Sequence, residues 1–182
     1  MSTFSKCPKE VEILAQKVIA EFDSYEMFRK AGVTVEYLFA NAPQDADGHP
    51  VGPAIKHHGH AARGVARILP IKQRVAGRRD AEILIDGDWW PEATEAQRRA
   101  LLDHELHHLA VVVDQRGLPV FDDHNRPRLK MRKHDFQFGW FSIIAARHGD
   151  ASCERETAQY ILDNAGQLYW PDLYKLKQAA RV

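Results

Sequence analysis

The sequence predicts an α+β domain, a small mixed or antiparallel sheet packed on one long capped helix with further helices around it. Three features point there. Short runs in the first half alternate apolar and polar residues, helical spacing opens the chain and returns in its second half, and Thr94 with Gln97 marks a helix start. No internal repeat or low-complexity linker divides the 182 residues, so residues 1–182 read as a single domain.

Taken in order, residues 8–22 place Val11, Leu14, Ala15, Val18 and Ile19 at helical intervals behind Pro8, which suits a first turn. After the break at Gly32, Val33, Val35, Tyr37 and Phe39 alternate as a strand, and residues 41–53 form a turn-rich loop. Residues 61–71, with Val65, Ile68, Leu69 and Ile71, predict a second strand. Residues 81–86 predict a third, at a sheet edge, with Ala81, Ile83 and Ile85 on one face. The capping box opens a helix over 95–113. Residues 117–128 are loop or hairpin, 134–147 a second long helix closed by Gly149, and 152–164 a third.

Composition excludes several classes. With 25 basic and 25 acidic residues the formal charge is zero, which rules out a simple polybasic nucleic-acid binder, while 45% hydrophobic residues suffice for a core. No run is long and apolar enough to span a membrane, and residues 1–7 lack the apolar core of a signal peptide, so a cytoplasmic location is expected. Cys7 and Cys153 form no CxxC pair, against a disulfide scaffold or a thiolate zinc knuckle.

The ten histidines are unevenly distributed. His104, Glu105 and His108 form an HExxH motif inside the capped helix. Residues four apart on a helix lie one above the other, so two imidazoles can grip one zinc ion while the glutamate between them reaches the metal-bound water. On the predicted helix Leu102, Leu106, Leu109 and Val113 make an apolar stripe, and Arg99, Asp103, His107 and Asp114 a polar sector. His104 and His108 project from a third face flanked by Leu101, Val111 and Val112, a partly buried place; His107 turns to the polar sector and is excluded as a ligand. The bland alternative makes His104 and His108 hydrogen-bonded core residues with Glu105 at the surface.

A hydrolytic zinc needs a third protein ligand. His134, at the head of the second long helix with Asp135 beside it to orient it, is the leading candidate, with His124, Glu154 and Glu156 as alternatives. His148 before Gly149 suits a helix C-terminus as a cation. His57, His58 and His60 form a second group that could line a cleft, bind another metal or donate to an oxyanion. Trp89 and Trp90 are read as covering the core beside the helix start.

The chain resembles the phage metallopeptidase family. The resemblance rests on GPAIKHHG at 52–59, DAEILIDGDWW at 80–90, ALLDHELHHL at 100–109 and LKMRKHDF at 129–136, and is strongest over 33–149. It implies a zincin fold, His104 and His108 as ligands, Glu105 as catalytic base, His134 as third ligand, a phage or prophage origin and thus the host cytoplasm. More distantly the chain is similar to SprT-like zincins, some of which act on proteins attached to DNA.

The expected activity is peptide-bond hydrolysis by Glu105-activated water on zinc, with the 81–86 edge strand holding an extended peptide and His57, His58, His60 or Tyr37 as oxyanion donor. Two acid-free basic blocks, 56–79 and 126–133, suggest a nucleic-acid or acidic partner near the cleft, against the ordinary reading of a solvated face. The alternative class is a non-catalytic, zinc-containing interaction protein acting on a host factor.

Overall fold

The computed structural model describes residues 1–57, 59–134 and 140–164. Its main sheet has the order β1 (Thr3–Lys6), β2 (Val35–Asn41), β6 (Ala81–Asp86), β5 (Gly64–Ile68), with β2 and β6 parallel and the other pairs antiparallel. Two small ladders flank it, β3 (Ile55–His57) with β4 (His60–Ala62) and β7 (Leu109–Val111) with β8 (Leu129–Met131). The helices are α1 (Lys9–Glu21), α2 (Glu26–Ala31), α3 (Ile71–Val75), α4 (Glu95–His107), α5 (Ser142–His148) and α6 (Cys153–Asn164). The architecture is mixed α+β, as expected.

The core lies between one sheet face and helices α1 and α4. Val11, Ala15 and Val18 of α1 meet Leu101, Leu102 and Leu106 of α4 over Ala81, Ile83 and Ile85 of β6. A smaller cluster of Ala40, Ala42, Ala54 and Ile55, with Val65 and Leu84 against it, fills the opposite face under the β3–β4 ladder.

Strand β6 is central, not the predicted edge. Glu82, the charge that made it read as half-exposed, is fully buried, and its carboxylate is met by Arg67 at 2.5 Å and Arg78 at 2.7 Å. Among the described residues the sheet's edge strands are β1 and β5. The single strand predicted over 61–71 resolves into the end of β4, then β5 from Gly64, and then α3, which starts behind Pro70.

The predicted capping box is present: Thr94 Oγ1 accepts the Gln97 N–H at 3.2 Å and Gln97 Oε1 accepts the Thr94 N–H at 2.9 Å. Helix α4 nevertheless ends at His107 rather than 113. Val111, Val112 and Val113 are β-branched and favour extended chain. There β7 pairs with β8, and the Arg132 N–H donates to the His108 carbonyl at 2.7 Å, satisfying a helix-end acceptor. Val113, expected on the apolar stripe, is therefore 44% exposed. Likewise α5 begins at Ser142, and His134 lies three residues after the end of β8, outside any strand or helix; residues 135–139, on which the rest of the predicted start falls, lie outside those described. Gly149 caps α5 as expected, and α6 matches the predicted 152–164.

A six-residue turn, Asp-x-x-(Gly or Asn)-x-Pro, recurs at 45–50, 114–119 and 122–127. In each, Oδ1 of the leading aspartate accepts N–H groups two and four residues on at 2.8–3.0 Å, and the fourth residue (Gly48, Gly117, Asn125) has positive φ. Repetition at this scale escaped the search for longer internal repeats.

Asp80 ties the layers together. Its carboxylate accepts from the Thr34 N–H (2.9 Å) and hydroxyl (2.7 Å), and from Arg74 (2.9 Å) and Arg126 (2.9 Å). Burial alone would raise its pKa; the bonds from Thr34, Arg74 and Arg126 outweigh that and hold it below the ordinary carboxylate range. Asp80→Asn leaves the buried Arg74 with only the longer contact to Asp122, at 3.7 Å, and is expected to lower unfolding free energy by about 3 kcal/mol in denaturant titrations. Because the folded pKa is depressed, the stabilisation is complete above the unfolded aspartate value, about 3.9, and fades as pH falls below it, so the gap between wild type and variant closes in acid.

Candidate active site

The buried half of α4 is unusually polar. Asp103, His104, Glu105 and His107 are all buried, so the sector of Asp103 and His107, polar in sequence, is not solvated, because α5 and the segment around Tyr25 cover it. Asp103 accepts from the Tyr25 hydroxyl at 2.5 Å, Arg147 at 3.0 Å and His148 Nε2 at 2.7 Å. His148 thus has a carboxylate partner as well as a helix end. Burial raises Asp103, but bonds from His148 and Tyr25 and the charge of Arg147 bring its pKa below normal. His107 Nε2 accepts from the Arg132 guanidinium at 2.6 Å, which keeps it away from the other imidazoles.

His104, His108 and His134 converge. Their ligand atoms lie within 4.8 Å of one another, with His104 Nε2 and His134 Nε2 3.2 Å apart. The Phe141 ring packs against all three at centroid distances of 4.9–5.1 Å. His104 Nδ1 donates to Glu154 Oε1 at 2.6 Å and His108 Nδ1 to the Arg132 carbonyl at 2.9 Å, which turns both Nε2 atoms toward the shared point. Burial lowers His108 and His134 to a pKa of about 4, so both are neutral, the form that binds metal. His104 differs: burial opposes its charge, but Cys153, Glu154 and Glu105 raise its pKa well above the histidine norm. Three convergent imidazole nitrogens can hold a common cation, and this donor set suits zinc.

Glu105 points into the same cleft. Burial pushes its carboxyl up to about 7, against the opposing pull of His104 and the Ala66 N–H. It reaches that place only because residue 64 is glycine: a Cβ there would lie 2.7 Å from Glu105 Oε1. Sequence reading missed Gly64, whose one signal is a lone glycine inside a strand pattern. The cleft, about 490 Å³, runs between β5 and α6 and is also lined by His57, Met131 and Tyr160. The bonds Asp86 N–H to Arg63 O and Leu69 N–H to Asp80 O set the ladder phase, so Gly64, Ala66 and Ile68 turn their backbone polar groups to the outer edge of β5. Among the described residues, no strand pairs with that edge.

The other predicted residues disperse. Tyr37 lies beside Lys6, Glu12 and Arg79, away from the cleft, and leaves the set of oxyanion candidates. His60 pairs with His57 across the β3–β4 ladder and is exposed; His58 and Asp135 lie outside the described residues. His124 is exposed in the 122–127 turn. Glu156 forms a bidentate pair with Arg63 at 2.5 and 2.9 Å. Glu154 supports His104 from behind instead of joining the three nitrogens. Trp89 and Trp90 pack on the core as expected, under Arg63 and Arg98. The arginines of the first block are paired, Arg67 with Glu82, Arg74 with Asp80, Arg78 with Glu36 and Glu82, and Arg79 with Glu12, and in the second block Arg126 also meets Asp80.

An HExxH helix whose two imidazoles meet a third, with a buried carboxylate beside an open cleft, has the make-up of a hydrolytic metal centre. The family model described as "Putative phage metallopeptidase" matches residues 2–165, and the chain belongs to that family. No curated protein and no solved structure matches it.

His134→Ala is expected to lower metal affinity more than Glu154→Gln, which should weaken it about 10–100-fold, both measured by chelator competition. Unchanged affinity in His134→Ala would move the third ligand elsewhere.

Proposed function

We propose that the chain is a zinc-dependent peptidase of phage or prophage origin, with a zincin-like fold, acting in the host cytoplasm on protein or peptide substrates. The observation that carries this reading is the convergence of His104, His108 and His134 beside Glu105 in a cleft bordered by the free edge of β5. His104, His108 and His134 would hold the zinc ion, which when bound supplies Lewis acidity toward water and the scissile carbonyl.

The chain's own groups supply the rest. Glu105, with its carboxyl raised to about 7, takes a proton from the attacking water and passes it to the leaving amine nitrogen. Glu154 and the Arg132 carbonyl hold His104 and His108 in the tautomer that keeps Nε2 free. His57 lines the cleft and donates to the carbonyl oxygen as it gains charge. An extended peptide adds to β5, replacing the 81–86 strand in the role first expected of it. Against a closed structural zinc, Glu154 and Cys153 lie at Nδ1 of His104 rather than among the Nε2 atoms, so the cleft side keeps space for water and substrate.

Chelation should abolish cleavage of a quenched fluorescent peptide mixture, and added zinc should restore it. Glu105→Gln should retain zinc yet lose activity by at least about 100-fold; wild-type turnover in that variant would sink the role of Glu105. Gly64→Ala should keep its zinc and fold but lose turnover, because the new Cβ displaces the Glu105 carboxylate; equal kcat would show that the close approach is dispensable.

A further inference from the structure

Cys153 and Glu154 open α6, and the proposed hydrolysis does not use the thiol. Both side chains meet His104 at Nδ1, the nitrogen turned away from the three-imidazole cluster. Glu154 Oε1 is 2.6 Å from Nδ1, while Cys153 Sγ is 3.8 Å from Nδ1 and 3.4 Å from Glu154 Oε2. These imidazole, thiol and carboxylate donor atoms all lie within 4.8 Å of one another. Glu154 is 1% exposed, yet Cys153 lines the cleft, which gives an ion a route in.

We propose that His104 Nδ1, Cys153 Sγ and Glu154 form a second metal site, for a thiophilic divalent cation such as cadmium or excess zinc. Donors about 2.0–2.3 Å from a tetrahedral ion stand roughly 3.5 Å apart, close to both sulfur separations here. The short His104–Glu154 contact widens when an ion takes the place of the proton between them. A thiolate selects soft cations over magnesium or calcium. As the cation enters, the Cys153 thiol proton and the His104 Nδ1 proton leave to solvent, so the dipositive ion is met by thiolate, carboxylate and a bridging imidazolate. Occupation of this site takes from His104 the carboxylate that orients it toward the cleft. Only this regulatory consequence, inhibition by excess soft metal, rests on the peptidase reading; the site itself does not.

The test titrates protein carrying one equivalent of zinc with cadmium chloride, following the ultraviolet thiolate-to-cadmium charge-transfer band and counting both metals after gel filtration. The band should saturate at one added equivalent with zinc retained. Cys153→Ser should abolish it, Cys7→Ser should leave it intact, and Glu154→Gln should weaken cadmium binding at least about tenfold. His108→Ala, which damages the three-histidine site, should lose zinc but keep the band, separating failure of one site from failure of the other. Absence of the band, its survival in Cys153→Ser, its loss in Cys7→Ser or its loss together with zinc in His108→Ala would overturn the proposal. Should Cys153→Ser not fold, cadmium must slow alkylation of Cys153 in the zinc-loaded wild type; an unchanged rate overturns it equally.

Discussion

The structure is organised by one requirement: α4 carries Asp103, His104, Glu105 and His107 into a desolvated interior, and each must find a partner there. An unpaired buried charge or polar group costs several times what an ordinary hydrogen bond contributes. The elements beside α4 are placed accordingly. Tyr25, Arg147 and His148 meet Asp103, Glu154 meets His104, and the Ala66 N–H meets Glu105. Arg132 closes the set. Its N–H donates to the His108 carbonyl, its carbonyl accepts from His108 Nδ1, and its guanidinium donates to His107. Two residues later the chain delivers His134, so the clamp that satisfies the helix end also positions the third imidazole.

The same economy explains the sheet. A buried carboxylate at Glu82 is tolerable in a central strand because Arg67 and Arg78 reach it from two sides, and Asp80 at the start of that strand gathers Thr34, Arg74 and Arg126. Within the basic stretch from 56 to 79, Arg67, Arg74 and Arg78 are thus committed to carboxylates of the sheet. Of the two edge strands, β5 packs against α4 and borders the cleft. Gly64 lets Glu105 lie against it, which sets the buried carboxylate directly beside a strand able to accept an extended chain.

Local signals were legible where a few adjacent residues decide the outcome. The capping box, the first helix, the strand of Val35, Tyr37 and Phe39, the glycine after α5 and the histidine pair one helical turn apart all depend on neighbours within about four residues. Errors arose where distant partners intervene. Alternation at 81–86 could not reveal that arginines would neutralise Glu82, and helical spacing past His108 could not weigh β7 against its pairing with β8. The wet or buried character of Asp103 depended on α5, a segment some forty residues away.

By itself, then, the sequence determined the α+β class, the helix that carries the HExxH motif, and the chemistry of its three residues, because these follow from short-range periodicity and from what imidazole and carboxylate can do. Only the tertiary structure decided that His134 joins the two helical imidazoles from outside any helix or strand, that Glu154 stands behind His104 rather than with it, that β5 is the edge strand bordering the cleft, and that Gly64 makes room for Glu105. Those placements depend on which surfaces meet when the core closes, and pairing energies between residues tens of positions apart are not written in any local pattern.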